Sequence, residues 1–312
     1  MRKLNWKTLA IVCLFITNIS FAQKERDVKV PLGDEFLYGT FLKVRKKDAP
    51  VAIIIPGSGP TDRNGNSPTG IKAKTYQLMA EELAKQGISS LRYDKLAIGE
   101  SVSKVEEKDM LFDDNVEQVE AWISFLQKKK YDKIILIGHS EGSLIGLLTA
   151  NKNEAISKFI SIAGIGRTID EVLAEQLSNL PAELYQQSEQ ILYELKNGDT
   201  VDEVPIQLAS VFRESVQPYL ISFFAKNPTE EISKLDIPIL IIQGTTDIQT
   251  TVDDAKMLKE ANENAQLIII EGMNHILKTA PEERDENIKT YYNPDLPLHQ
   301  ELIPKIVKFI LE

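Results

Sequence analysis

The pentapeptide Gly138–Gly142, with the sequence GHSEG, has the residue types and spacing of a reactive serine. The strand-like run Lys133–Ile137 precedes it, and Ser143–Ala150, which has the composition of a helix, follows. A G-x-S-x-G pattern between a strand and a helix is typical of a turn sharp enough to expose the serine hydroxyl above a sheet edge. The flanking glycines avoid side-chain collisions across such a turn. The pattern therefore predicts that Ser140 is a nucleophile.

A serine hydroxyl is a weak nucleophile near neutral pH and needs a base, for which the chain offers three histidines. His139 adjoins Ser140, and neighbouring side chains point apart in a sharp turn. His299 lies at the start of the predicted last helix, Leu298–Leu311, which favours a surface or capping role. His275 lies in a loop that follows a predicted strand, downstream of the serine. We therefore predict that His275 is the base.

The base in turn needs a carboxylate to orient it, expected after a strand that lies between serine and histidine in sequence. Pro238–Gln243 is such a strand, and Asp247 follows it at the same predicted edge of the sheet. Asp253 and Asp254 are the alternatives, but they fall at the start of a predicted helix, where carboxylates satisfy free N–H groups. We therefore predict that Asp247 is the acid, which gives the chain order Ser–Asp–His of α/β-hydrolases.

Acyl transfer also requires donors for the negative charge that develops on the carbonyl oxygen. The backbone N–H of Glu141, directly after the serine, is the first predicted donor. The second is expected in the loop Pro56–Pro60, where glycines let the backbone approach a substrate closely. By position the N–H of Ser58 is the predicted second donor, with Gly59 as the alternative.

Strand-like and helix-like segments alternate along the chain, which predicts a mostly parallel central sheet covered by helices on both faces. An alternating segment, Glu35–Val44, predicts an antiparallel strand before them. The predicted parallel strands are Val51–Ile55, Ile88–Tyr93, Lys133–Ile137, Phe159–Ala163, Pro238–Gln243 and Gln266–Ile270, and the predicted helices between them include Lys72–Gln86, Phe112–Lys129 and Asp253–Ala261. About seventy residues of helical character, 167–235, interrupt this rhythm and predict a helical insertion at the carboxyl edge of the sheet.

Residues 1–22 have the organisation of a secretory signal peptide. A basic start, an apolar core too short to span a bilayer and a small-x-small cleavage site follow in that order: Arg2, Lys3 and Lys7, then Leu9–Ile16, then Ser20-Phe21-Ala22. Cys13, the only cysteine, lies inside the apolar core, and the bulky Val12 before it argues against lipid attachment. We therefore expect cleavage after Ala22 and export of the protein to the periplasm or the medium. The remaining residues, 23–312, are expected to form one domain.

The remaining 290 residues carry a formal charge of −13 and no cysteine. An acidic chain is poorly suited to binding nucleic acid or anionic membranes, and we expect neither partner, nor stable membrane insertion after cleavage. With three histidines and no cysteine, a zinc or iron site is improbable, so no metal is expected. A chain of this size can bury a core that folds without disulfides.

The sequence resembles the secreted bacterial α/β-hydrolase esterases that carry a Pro-Gly-Ser-Gly-Pro loop, the esterase D type and its relatives described as lysophospholipases. The matching segments are Ile55–Asn66, Leu91–Lys95, Gly138–Gly142, Gly244–Asp247, Gly272–His275 and Asn293–Leu298. The resemblance implies an α/β-hydrolase fold, hydrolysis of carboxylic esters, no cofactor, and a helical cap formed by the insertion. The chain departs from these proteins after Lys95, where Leu96 and Ala97 replace their arginine and glycine.

We therefore expect a serine carboxylesterase that cleaves small-molecule esters through an acyl-enzyme. A serine aminopeptidase or dipeptidyl-type peptidase is the alternative, because such enzymes can share the fold and the order of the triad. They need carboxylates to hold a substrate ammonium group, for which the insertion offers Glu171, Glu175 and Glu183. A catalytically inactive hydrolase that only binds a ligand is less favoured, since all three triad positions are filled.

Two groups of residues keep two possible roles each. Asp62–Asn64 flank the Pro56–Pro60 loop, where they either contact substrate or stiffen the turn through hydrogen bonds. The aromatic residues Tyr219, Phe223 and Phe224 of the insertion either line an acyl pocket or pack within the insertion.

Overall fold

The computed structural model of the protein describes residues 23–312, so the predicted signal peptide lies outside the described residues. Eight strands form one sheet in the order β1-β2-β4-β3-β5-β6-β7-β8. They are β1 (Gln23–Leu32), β2 (Glu35–Val44), β3 (Val51–Ile55), β4 (Ser89–Tyr93), β5 (Ile134–His139), β6 (Ile156–Ile162), β7 (Ile239–Gly244) and β8 (Gln266–Ile270). β2 is antiparallel to β1 and β4, and β3 to β8 pair in parallel. The predicted mostly parallel sheet is confirmed.

Eleven α-helices connect and cover the strands within the described residues. They are α1 (Thr75–Lys85), α2 (Asp114–Lys128), α3 (Glu141–Lys152), α4 (Ile169–Leu177), α5 (Ala182–Lys196), α6 (Ala209–Phe212), α7 (Gln217–Phe224), α8 (Pro228–Ser233), α9 (Val252–Ala261), α10 (Arg284–Lys289) and α11 (Leu302–Leu311). Between residues 23 and 312, no helix has the length and apolar character needed to cross a bilayer.

The central parallel strands β3, β5 and β7 are mainly apolar because both faces of the sheet are covered there. In β3, Val51, Ile53 and Ile55 pack with α2, α3 and α9 on one face. Ala52 and Ile54 point to the other face and pack with α1 and α11. Every residue of β3 is buried, which explains why this strand shows no polar alternation in the sequence.

The insertion between β6 and β7 contains the five helices α4 to α8 and, across residues 163–238, no strand. Seven buried apolar residues give it a core of its own: Ile191, Leu192, Leu195, Leu208, Phe212, Leu220 and Phe224. One of its attachments to the sheet domain is Phe112, whose N–H donates to Ser222 Oγ at 2.8 Å and whose ring stacks on Phe223 at 4.1 Å. We call this insertion the cap.

Two elements differ most from the expectation, whereas the bounds of the other predicted elements move by up to three residues. β1 is not apparent in the sequence because it is an edge strand in which charged residues alternate with Val28 and Val30. The last helix begins at Leu302 rather than Leu298, and His299 is buried. The surface role expected for His299 is wrong, and its Nδ1 accepts from the N–H of Glu301, the residue before α11, at 3.3 Å.

Candidate active site

Ser140 lies between the last residue of β5 and the first residue of α3, in the predicted sharp turn. Its backbone has φ 55° and ψ −124°, a conformation that costs free energy for a residue with a side chain. A Cβ on Gly142 would lie 2.3 Å from the Ile55 carbonyl oxygen, and one on Gly138 would lie 2.2 Å from the Gly142 carbonyl oxygen. Both glycines are therefore required, because neither backbone neighbour can move aside for a side chain.

Asp247 and His275 lie in the loops that follow β7 and β8, and the structure brings them into contact. His275 Nδ1 donates to Asp247 Oδ2 at 2.9 Å and lies 3.1 Å from Oδ1. The Asp247 carboxylate also accepts the backbone N–H groups of Gln249 and Thr250, at 2.8 and 3.1 Å. The acid and the base chosen from the sequence thus form a direct hydrogen bond across the carboxyl edge of the sheet.

The electrostatics of this pair favour an ionised carboxylate. Burial alone would raise the pKa of Asp247, but the interactions with His275 and the N–H groups of Gln249 and Thr250 hold that pKa below its usual value. An ionised Asp247 keeps the proton on His275 Nδ1, which leaves Nε2 as the acceptor that a general base requires.

Ser140 and His275 line the same cavity, of about 230 Å³, together with Gly57 and Ser58 of the loop after β3. That loop lies against the nucleophile, since a Cβ on Gly57 would be 3.2 Å from Ser140 Cβ. Ser58 and Glu141, the two predicted N–H donors, line a second cavity of about 350 Å³ together with Ser140. The N–H of Glu141 is the first of α3, and the first four N–H groups of a helix have no partner within it.

Lys95 is a residue of this site that the sequence did not single out, although it closes one of the segments that carry the family resemblance. Its buried Nζ donates to the Gly57 carbonyl oxygen at 2.9 Å and to Glu141 Oε1 at 2.7 Å. In a trans peptide the C=O and the following N–H point in opposite directions, so the Gly57 contact directs the Ser58 N–H away from Lys95. One cation thus fixes both segments that carry the predicted donors.

His139 has a separate role, because it connects the Pro56–Pro60 loop to the histidine loop. The His275 carbonyl oxygen can only accept, so His139 Nε2 donates to it, at 2.7 Å. His139 Nδ1 then accepts from the Tyr76 hydroxyl at 2.9 Å, and that hydroxyl accepts from the Gly57 N–H at 2.8 Å. This chain of hydrogen bonds, from Gly57 through Tyr76 and His139 to His275, requires a neutral His139 imidazole.

Burial, reinforced by the nearby His275, lowers the pKa of His139 from 6.5 to about 3. In the unfolded chain the imidazole of His139 has a pKa near its ordinary value of 6.5. Between pH 6.5 and about pH 3 the unfolded state therefore binds more protons than the folded state, so the free energy of unfolding decreases as the pH falls. The loss is expected to be about 2 kcal/mol between pH 7 and pH 5, since one pKa unit corresponds to about 1.4 kcal/mol.

We expect His139→Gln to have a shallower decline of unfolding free energy over that interval, because glutamine does not titrate. Urea unfolding of both proteins at pH 7 and pH 5 measures the difference, and the other titrating groups are common to both. An identical pH dependence in the two proteins would mean that His139 is not held neutral.

The competing aspartates lie away from His275. Asp253 is exposed and pairs with Lys256 at 2.8 Å. Asp254 is fully buried, forms a capping box with Thr251 at the start of α9 and binds Arg167 Nε at 3.0 Å. Both aspartates therefore lie in the first turn of α9, as expected. Asp254 also holds Arg167, which lies at the beginning of the cap.

The structure distinguishes between the two roles considered for Asp62–Asn64 and for the aromatic residues of the cap. The Asp62 carboxylate accepts the N–H groups of Asn64 and Asn66 at 2.8 and 2.9 Å, and the buried Arg63 binds Asp94 at 3.1 Å, which supports the role of stiffening the turn. Tyr219 and Phe223 line the 350 Å³ cavity, whereas Phe224 belongs to the core of the cap.

The carboxylates considered for binding a substrate ammonium group lie elsewhere. Glu171 lines a different cavity, Glu175 binds Arg167 at 2.6 Å, and Glu183 is exposed on α5. The carboxylate nearest to the nucleophile in the chain, Glu141, is bound by Lys95. Across residues 23–312, no cluster of three or more histidine, aspartate or glutamate side chains is arranged to hold a metal ion.

Residues 70–214 match the profile of a hydrolase family described as "Serine aminopeptidase, S33". This segment contains the G-x-S-x-G turn and ends before Asp247 and His275. No curated protein matches the chain.

Several solved structures are similar over nearly the whole chain. Est1E from Butyrivibrio proteoclasticus is 18% identical with a TM-score of 0.61, over 92% of this chain and 99% of that one. The Pyrococcus furiosus esterase Pf2001 is 17% identical with a TM-score of 0.56, over 93% and 92%. A proline iminopeptidase from Mycobacterium smegmatis is 13% identical with a TM-score of 0.60, over 92% and 98%. These likenesses show the α/β-hydrolase fold.

Proposed function

We propose that this α/β-hydrolase is a serine carboxylesterase that cleaves small-molecule esters through an acyl-enzyme intermediate. One observation carries the proposal. Ser140 is held in a strained turn inside the cavity that His275 also lines, and His275 Nδ1 is bound to Asp247 at 2.9 Å. A strained backbone that the surroundings maintain is common at active sites, where it positions a reacting group.

In the proposed reaction, Ser140 Oγ attacks the ester carbonyl carbon and transfers its proton to His275 Nε2. The N–H groups of Ser58 and Glu141 donate to the oxyanion of the tetrahedral intermediate. His275 then protonates the leaving alcohol, which departs and leaves the acyl group on Ser140. A water molecule, deprotonated by the same nitrogen, hydrolyses the acyl-enzyme and restores the serine.

A serine peptidase is the second candidate, and the description of the matching family and the likeness to the iminopeptidase favour it. Recognition of a free amino terminus would need a carboxylate that is not already neutralised. Glu141 is the acidic residue that lines the cavity with Ser140, and its charge is compensated by the Lys95 ammonium at 2.7 Å. This pairing supports the esterase over the peptidase.

Two assays separate the candidates. The purified protein is expected to be labelled by a fluorophosphonate probe and to hydrolyse p-nitrophenyl acetate, with little turnover of aminoacyl p-nitroanilides. Preferential turnover of the anilides would favour the peptidase. A folded protein that the probe does not label would instead be the inactive binding protein, because labelling requires an activated serine.

Lys95→Met is expected to lower kcat about 10²-fold with little change in KM. A displaced N–H donor would stabilise the transition state less, whereas binding of the substrate would change little. Steady-state kinetics on p-nitrophenyl acetate, together with the affinity for a boronic acid that mimics the tetrahedral intermediate, measure this effect. The control is Lys158→Met, which removes a lysine that binds the Phe309 carbonyl oxygen at 2.7 Å on another part of the sheet. If Lys95→Met changes only Tm, and not kcat or boronate affinity, Lys95 is merely structural.

We also propose that the protein is exported and that residues 1–22 are removed. The support comes from the order of basic, apolar and small residues in this segment. Sequencing of the protein recovered from its native source is expected to give Gln23 as the first residue, with no lipid. An intact amino terminus, or diacylglycerol on Cys13, would show that this proposal is wrong.

A further inference from the structure

Two cavities of different chemistry meet at Ser140. The smaller one, of about 230 Å³, is lined by both Ser140 and His275. The larger one, of about 350 Å³, lies between the sheet edge and the cap and is lined by both Ser140 and Glu141. An ester bound with its carbonyl carbon at Ser140 would place one side of the molecule in each cavity.

The position of His275 decides which side enters which cavity. The base must protonate the oxygen of the leaving alcohol, so the alcohol lies on the side of the serine that faces the imidazole. His275 lines the smaller cavity, which therefore takes the alcohol. The acyl group, which stays on Ser140, is left with the larger cavity under the cap.

The larger cavity is lined mainly by apolar side chains. Those from the sheet edge and the cap include Ile165, Ile169, Val172, Leu173, Leu220 and Phe223. It adjoins a third cavity of about 410 Å³, with which it shares six residues: Gly59, Pro60, Glu141, Arg213, Val216 and Tyr219. Leu96 and Ile98 also line that third cavity.

The smaller cavity is bordered by more hydroxyl-bearing side chains than the larger one. Besides Ser140 there are seven: Ser58, Thr61, Ser67, Thr69, Thr75, Tyr76 and Tyr291. A hydroxyl donates one hydrogen bond and accepts up to two, so a group that already has one protein partner can still bind another hydroxyl. The Tyr291 hydroxyl, for example, accepts from Gln249 Nε2 at 3.4 Å. Burial raises the pKa of Tyr291, so this hydroxyl keeps its proton.

We infer that the substrate is an ester of an apolar acyl group with a small alcohol that carries further hydroxyl groups, such as glycerol or a sugar. This inference rests on the proposed serine esterase. It adds the orientation of the ester, with the acyl chain under the cap and the polyol beside His275.

The alcohol side is tested with a matched pair of substrates, monobutanoyl glycerol and propyl butanoate, which differ only in two hydroxyl groups. The glycerol ester is expected to have a kcat/KM at least about tenfold higher, because each satisfied hydroxyl contributes a net hydrogen bond. Tyr291→Phe is expected to reduce this ratio roughly fivefold. The control is Tyr292→Phe, which removes the hydroxyl of the exposed neighbouring tyrosine. Equal rates on both esters would overturn the assignment of the alcohol.

The acyl side is tested with p-nitrophenyl acetate, butanoate and hexanoate. A rise in kcat/KM of about fourfold for each added methylene is expected, since a buried methylene contributes about 0.8 kcal/mol. Leu173→Trp, which fills the larger cavity, is expected to abolish the rise, as measured by the ratios of kcat/KM among the three esters. Leu177→Trp is the control on the same helix, because Leu177 packs against the core of the cap and does not line the cavity. A rate that falls with chain length in the wild-type protein would overturn the assignment of the acyl group.

Failure of this inference can be distinguished from failure of the esterase proposal. If the protein reacts with the fluorophosphonate probe and hydrolyses p-nitrophenyl acetate, but shows neither preference, the esterase stands and the orientation is wrong. If the probe does not react, the esterase itself is wrong.

Discussion

Ser140→Ala and His275→Ala are each expected to lower kcat by roughly 10⁴–10⁶-fold. The triad residues act as a unit, so removal of one of them removes most of the rate acceleration that they provide together. The structure adds a reason specific to this chain, since the strained Ser140 backbone is held in the cavity that His275 lines. Hydrolysis of p-nitrophenyl acetate by purified variants measures the loss. Unchanged circular dichroism and Tm would show that the fold is intact.

Ser143→Ala provides the matched control. This serine lies three residues further along, on α3, and its hydroxyl is within 2.7 Å of Ser161 Oγ. The control is expected to keep activity within a few-fold of the wild-type protein and to lose some stability. Near-wild-type hydrolysis by a folded Ser140→Ala protein would refute the proposed nucleophile.

Asp247→Asn is expected to lower kcat on the order of 10⁴-fold while the fold is kept, by analogy with the serine proteases. An amide that donates to His275 Nδ1 would move the imidazole proton to Nε2, so the base would have no lone pair available for Ser140. The measurement is kcat for p-nitrophenyl acetate, together with an imidazole proton spectrum that reports the tautomer.

The two competing aspartates serve as controls for this variant. Asp253→Asn is expected to leave both activity and stability nearly unchanged, because its carboxylate is exposed. Asp254→Asn is expected to lower Tm, since it weakens the buried contact with Arg167, and to retain the chemistry. A loss of activity in Asp254→Asn comparable to that in Asp247→Asn would mean that the acid has been misassigned.

The residues of the proposed triad could be chosen from the sequence because their signals are local. Each follows a mainly apolar strand, and the carboxyl ends of parallel strands meet at one sheet edge. The scarcity of histidine reduced the choice of base further. The bounds of β3 and β8 were predicted to the residue, since short apolar runs between turn residues have few alternatives.

The contacts that support the site could not be predicted in the same way, because their partners are far apart in the chain. Lys95 meets Gly57 and Glu141 only once β3, β4 and β5 are aligned. The burial of His299 is likewise a tertiary effect, since its N–H donates to the Leu277 carbonyl oxygen at 2.8 Å. Sequence spacing carries no information on either contact.

Ala97 is an exception to the rule that glycine takes left-handed positions. Its backbone has φ 66°, although it carries a Cβ. Such a conformation costs roughly 1–2 kcal/mol for a residue with a Cβ. The turn is maintained nonetheless, with the Ala97 N–H donating to the Ser101 carbonyl oxygen at 2.7 Å.

The hydrogen-bonded chain through Tyr76 and His139 has a consequence for redesign of this enzyme. An apolar residue at position 139 would deprive the Tyr76 hydroxyl of its acceptor and the His275 carbonyl oxygen of its donor in one step. A second change, Tyr76→Phe, would then remove a hydroxyl that had already lost one partner. Coupling energies of about 0.5–3 kcal/mol are usual for contacting residues, so the two substitutions are expected to be strongly non-additive. A library that varies residue 139 alone would therefore reject replacements that become acceptable once residue 76 changes with it.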